Sequence, residues 1–176
     1  MYVWIRLPRI LAASKVAPRA DALTEIRTPL RVLPGDIDAY QHLNNGRYLT
    51  LCDIGRYDWS ARTGAWKVFR QRRWFPVIAT AAVTYRRSLE LFQRFELSTK
   101  LIYWDDKWFY IEHGFIREGS LCAKVLVKGV VRDEAKHAVS MSQIVEALGE
   151  GNRARLPIPD IVRDWSAWEK HMIRTK

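Results

Sequence analysis

The chain has 176 residues, 48% of them hydrophobic, which suffices for one domain with a buried core and excludes a mostly disordered polypeptide. Its net charge of +10 favours polyanionic partners, whether nucleic acid, an anionic membrane surface or a nucleotide-bearing ligand, and charge alone does not choose among them. Cys52 and Cys122 stand far apart without metal spacing and read as reduced, packed thiols of a cytoplasmic protein.

Residues 1–25 read as a basic amphipathic arm and connector. The run Met1–Lys15 is apolar but carries Arg6, Arg9 and Lys15, so it is too short and too charged for a spanning helix and lacks the clean apolar run of a signal peptide. Pro8 predicts a helix only from about that residue onward. Two readings stand for residues 1–16: peripheral contact with a membrane surface, or packing on the domain or on a partner subunit. Alternation at Ile26, Leu30 and Val32 then predicts a strand ending at Pro34-Gly35, and Pro29 marks it as an edge.

The stretch Pro34–Arg56 gathers the residues best suited to chemistry. Asp36 and Asp38 are followed by His42 and by the amide pair Asn44 and Asn45, after which the pattern becomes helical. Tyr48, Leu51, Cys52, Gly55 and Trp59 form an apolar stripe, Asn45 is a suitable N-cap residue, and Gly64 is placed to end the helix. A carboxylate just upstream of a helix start is a layout for acyl chemistry: the acid acts on water or on the acyl carbon, and free N–H groups face a developing oxyanion.

Residues 65–75 mix aromatic and basic side chains, which reads as a cover for the sheet in the absence of any nucleic-acid module. The second half alternates as strands over 76–87, 92–104, 107–118 and 121–133, joined by short turns, so an antiparallel meander is expected. Ser140 caps a short helix ending at Gly149, and the tail 150–176 carries an amphipathic segment. The expected architecture is α+β over 26–149, with one long helix on an antiparallel sheet. The uncovered sheet face and edges then call for a dimer.

The run Asp36-Ile-Asp38, then His42-Leu-Asn44-Asn45-Gly46-Arg47-Tyr48, the helical Asp53–Arg56, and Val83-Thr-Tyr85-Arg86-Arg87 before a long strand pair resemble the hotdog-fold acyl-CoA thioesterases of the 4-hydroxybenzoyl-CoA thioesterase-like branch. The resemblance covers residues 26–133. It implies a hotdog fold, with a long central helix on a curved antiparallel sheet of about five or six strands and a short C-terminal helix. It further implies thioester hydrolysis, no cofactor beyond the coenzyme A of the substrate, and a homodimer or dimer of dimers. Asp38 matches the catalytic carboxylate, the backbone amide near Asn45 and Gly46 matches the oxyanion donor, and Asp53 matches the acid that some relatives carry on the helix. A proline that often follows the Arg86-Arg87 position is Ser88 here.

The residues also admit plainer roles. Asp38 suits a turn, Asp36 a structural contact beside Pro34-Gly35, and Asn44 and Asn45 simple caps. His42 either contacts substrate or holds its loop, and Asp53 either acts on substrate or pairs with an arginine. Asn44, Tyr48, Arg86, Arg87 and Lys128 are candidate substrate contacts, the basic ones for coenzyme A phosphates. His113, His137 and His171 are scattered, and no metal is implied. Two other functions remain open on the same residues: an acyl-thioester hydratase or dehydratase, and a non-catalytic acyl-CoA-binding protein.

Overall fold

The computed structural model describes residues 2–151 and 156–174. The chain runs α1 (Tyr2–Val16), β1 (Ile26–Arg31), a 3-10 turn (Pro34–Asp36), α2 (Asn45–Thr63), α3 (Ala65–Arg72), β2 (Phe75–Tyr85), β3 (Arg94–Trp104), β4 (Trp108–Arg117), β5 (Ser120–Arg132), α4 (Met141–Ala147) and α5 (Asp160–Arg174). The strands form one antiparallel sheet in the order β1-β3-β4-β5-β2.

This order corrects the expected four-strand meander. Only β3, β4 and β5 follow one another in the sheet. β2 pairs with β5 at the far edge, and residues 86–93 carry the chain back across two strands to β3. Hairpin turns are local and visible in composition, whereas the partner of β2 is decided by contacts distant in sequence.

Helix α2 crosses the inner face of the sheet. Its cap is Asn44 rather than Asn45: the Asn44 side chain accepts from the Gly46 N–H at 2.9 Å. Gly64, at φ 85°, closes it in the left-handed conformation that a side chain disfavours. Leu51, Cys52 and Ile54 bury against Leu97, Phe115, Val125 and Val127. Gly55 permits the closest approach, since a Cβ there would collide with the Thr99 hydroxyl and with Leu97.

The N-terminal helix runs through Pro8 instead of starting at it. A proline inside a helix forfeits one backbone bond, but anchors on either side hold both halves in place. Arg6 is bound to Asp36, and the Ser14 hydroxyl donates to Asp58 Oδ1 at 2.8 Å. Asp58 also accepts from Thr28 Oγ1 at 2.6 Å, so one buried carboxylate ties α1, α2 and β1 together. With α1 above and the sheet below, α2 is buried on both sides.

The outer face of the sheet is partly covered by α5, with Val162 and Trp165 packed on Tyr110 and Leu126. Burial alone would raise the Glu169 carboxyl. Hydrogen bonds from Lys128 and Thr80 outweigh it and hold the group below its ordinary range. Among the described residues, no helix is long and apolar enough to cross a membrane.

Candidate active site

The loop from Asp36 to Asn44 is a small hairpin at the entrance of α2. Ile37 bridges to Leu43, the Asp38 N–H donates to the His42 carbonyl at 2.9 Å, and the Asn44 N–H donates to the Asp36 carbonyl at 2.8 Å. Gln41 sits at the bend with φ 61°, a conformation uncommon for a residue with a side chain. The crossover 86–93 forms the loop's second wall, through a bond from Leu43 N–H to the Leu89 carbonyl at 2.7 Å and a bridge between His42 and Glu90.

The two acids have different employment. Asp36 is fully buried; its Oδ2 accepts from Arg6 at 2.7 Å and from the Leu33 N–H at 2.9 Å. Asp38 is half-exposed. Its Oδ1 accepts from the N–H groups of Tyr40 at 2.9 Å and His42 at 3.3 Å, while Oδ2 accepts no hydrogen bond among the described residues. The turn role thus occupies one carboxylate oxygen and leaves the other without a hydrogen bond among the described residues.

At the helix entrance the Gly46 N–H is engaged by Asn44 Oδ1, and the Arg47 N–H donates to the Asn44 carbonyl at 2.8 Å. The Asn45 N–H bonds to nothing among the described residues, which leaves it as the amide open to an incoming oxygen. Its own carbonyl accepts from the Tyr85 hydroxyl at 3.1 Å, a contact with no signal in the linear sequence.

The remaining candidates separate into those at this corner and those elsewhere. Arg86 and Arg87 are exposed at the start of the crossover, their N–H groups held by the Cys122 carbonyl. His42 is exposed, and its backbone N–H is bonded to the Asp38 carboxylate. Tyr48 is 2% exposed, its ring edge-on to Tyr85 and Phe115, and burial, then nearby Cys122 and Tyr85, push its hydroxyl up to about 12. It is a core residue beneath the site. Lys128 points to the opposite face of the sheet, paired with Glu169 and lying over the Trp108 ring, so the structure does not bring it to the corner.

Asp53 belongs to a second polar group. It pairs with Arg56 one turn along α2, and Arg56 Nη1 reaches His113 Nε2 at 3.2 Å. Because a guanidinium only donates, Nε2 is the acceptor, and the proton sits on Nδ1 facing Thr99 Oγ1 at 3.0 Å. Burial, and then Arg56, lower the His113 pKa well below its ordinary value. The alternation Phe109, Ile111, His113, Phe115 places this histidine on the core face of β4, and that periodicity was its available signal.

A depressed histidine makes stability depend on pH. The folded state keeps His113 neutral while the unfolded chain takes up a proton below about pH 6.5. Stability is therefore full above that pH and falls below it, by up to about 1.4 kcal/mol per pH unit. Urea unfolding at pH 7.5 and pH 5.5 measures the loss, and His113→Gln is expected to flatten the difference.

Asp53 and Arg56 also stand at the wall of a cavity of about 410 Å³ between α2, α3, α4 and the sheet, lined by Trp59, Trp66, Phe69, Trp74, Trp104 and Phe109.

A long capped helix laid across a five-stranded antiparallel sheet, with an acid-bearing loop at its entrance, is the hotdog architecture of thioesterases. Residues 32–166 match the model of the Thioesterase-like superfamily, and the chain belongs to that superfamily. It is 33% identical over 159 residues to Protein THEM6 of Danio rerio, an alignment covering 86% of this chain and 72% of that protein. It is 42% identical over 82 residues to Protein THEM6 of Drosophila melanogaster, covering 46% of this chain and 42% of the relative. A probable thioesterase of Saccharomyces cerevisiae is 31% identical over 107 residues, covering 58% of this chain and 46% of the relative. Among solved structures, the YbaW probable thioesterase from Escherichia coli superposes with a TM-score of 0.66 at 22% identity, over 73% of this chain and 99% of its own. The gentisyl-coenzyme A thioesterase BH1999 superposes with a TM-score of 0.62 at 20% identity, over 69% and 99%.

Proposed function

We propose that the chain hydrolyses the thioester of an acyl-CoA, with Asp38 as base toward water or as nucleophile and the Asn45 N–H receiving the oxyanion. The observation that carries this reading is the tie between acid loop and helix. The Asp36 carbonyl, two residues before Asp38, holds the N–H of the helix cap, so the reactive carboxylate and the open amide share one rigid corner. The coenzyme A thiol is a good leaving group, so one carboxylate and one oxyanion donor suffice. Arg86 and Arg87 supply exposed positive charge beside the corner for the pyrophosphate. Relatives of this fold include a protein solved in complex with CoA and a gentisyl-coenzyme A thioesterase, which supports the choice of carrier. Among the described residues β2 leaves one edge unpaired and exposes Phe75 and Val77, consistent with two copies joining sheet to sheet in a homodimer.

A hydratase on the same fold would need a histidine working with an acid. Here, among the described residues, the His42 ring makes no hydrogen bond to the Asp38 carboxylate, and His113 is sealed in the core, which favours hydrolysis. Incubation with a panel of acyl-CoAs and one enoyl-CoA discriminates the two. Release of free thiol from saturated and unsaturated substrates alike is expected; water addition without thiol release would overturn the reading.

A further inference from the structure

The aromatic-walled chamber takes no part in the proposed hydrolysis, yet on α2 it begins at Asp53, two helical turns beyond the exposed Asn45. Asn45, Leu49, Asp53 and Tyr57 recur every four residues and share one face of the helix. That face is the accessible one: Asn45 and Leu49 are exposed, and Asp53 and Tyr57 are half-buried, whereas Tyr48, Leu51, Cys52 and Ile54 point into the core. Asp53, Arg56 and Tyr57 at the far end of the stripe line the chamber itself.

The chamber's character is apolar. Its buried polar side chains are already engaged among the described residues, Arg56 on Asp53 and His113 and the Ser60 hydroxyl on the Tyr57 carbonyl. The buried Trp59 indole N–H finds no acceptor among the described residues. Asp53 and Arg56 pair with each other, and Arg70 and Glu150 also line the chamber, so its wall is apolar apart from these four charged side chains. A volume of 410 Å³ lies within the ordinary range of small-molecule sites.

We infer that this chamber receives the apolar tail of a long-chain acyl group, which runs along the Asn45–Leu49–Asp53 stripe with its thioester at the entrance of α2. The position of the thioester rests on the function proposed above; occupancy of the chamber by a hydrocarbon chain does not. Asn45 and Asp53 are eight residues apart, or about 12 Å along the helix axis. An extended chain advances about 1.2 Å per bonded atom, so roughly ten atoms are needed to reach the mouth. Short acyl groups stop on the stripe. Longer ones enter the chamber, where each buried methylene strengthens binding about fourfold.

The test pairs turnover with direct binding. Over butyryl-, octanoyl-, dodecanoyl- and palmitoyl-CoA, kcat/KM is expected to rise about a hundredfold or more, with the steep part beyond octanoyl. Val145→Trp, which places bulk in the chamber from α4, is expected to bring the palmitoyl-to-butyryl ratio down toward one. Palmitate added to the unaltered protein and to Asp38→Asn is expected to change tryptophan fluorescence in both, since four of the lining residues are tryptophans. Activity that is flat across chain lengths, or a palmitate titration without a fluorescence change, would overturn the inference. Palmitate binding without turnover of any thioester would leave the chamber in place and remove the hydrolase reading instead.

Discussion

Asp38→Asn is expected to lower kcat/KM for acyl-CoA hydrolysis by about a thousandfold, within the range usual for loss of a positioned general base. The substitution is nearly isosteric, and this makes the test clean. An Asn side chain retains one oxygen, which continues to accept from the Tyr40 and His42 N–H groups and keeps the turn closed. What it removes is the charge on the second oxygen, which takes no part in holding the loop. Thermal unfolding of the variant should match the parent within a degree or two. Thiol release within a factor of three of the parent rate would exclude Asp38 from the chemistry and move attention to Asp53, the next carboxylate along α2.

Removing the cation beneath the same loop has the largest expected effect on the fold. Arg6→Met leaves the carboxylate of Asp36, at 0% exposure, without its guanidinium. Breaking one side of a buried pair costs about 3–5 kcal/mol, because the surviving charge is desolvated and unpaired. For a chain of this size that is a fall of roughly 10 °C in Tm, read by calorimetry or by urea titration. The same guanidinium donates to the Arg31 carbonyl at 2.7 Å, so its loss also frees the end of β1. The double variant Arg6→Met with Asp36→Leu replaces the pair by apolar groups and should recover most of the stability, since the pair's merit lies in mutual compensation. A drop under 1 kcal/mol for Arg6→Met alone would show that water or another group serves Asp36.

What could be read from the linear chain follows the range of the interactions involved. The extent of α2 and of β3, β4 and β5 was legible, because period and end signals are local: Gly64 stops the helix, and the turns at Asp105–Lys107 and Gly119-Ser120 separate strands. The acid loop was legible as one unit, since Asp36, Asp38, His42 and Asn44 lie within a few residues and are bonded mainly to one another. The placement of β2 beside β5 was not, because it follows from sheet order, and neither was the Glu169 of α5 that pairs with Lys128 on the outer face. Helix α1 continues through Pro8 against the local signal because Arg6 and Ser14 reach residues 30 and 44 positions away. Asp58 stood inside an apolar stripe and His113 inside an apolar alternation; each polar residue in a buried register pointed to a partner that only the folded chain reveals.

Attack at the entrance of α2 is tested most directly by the Asn45 amide itself. The protein is labelled with ¹⁵N-asparagine, and a non-hydrolysable ketone analogue of an acyl-CoA is titrated in while amide shifts are followed. A carbonyl oxygen received by the Asn45 N–H moves that proton resonance downfield at saturation, with smaller changes at Asn44. Saturable binding of the analogue with the Asn45 resonance unmoved would place the thioester elsewhere and contradict the site.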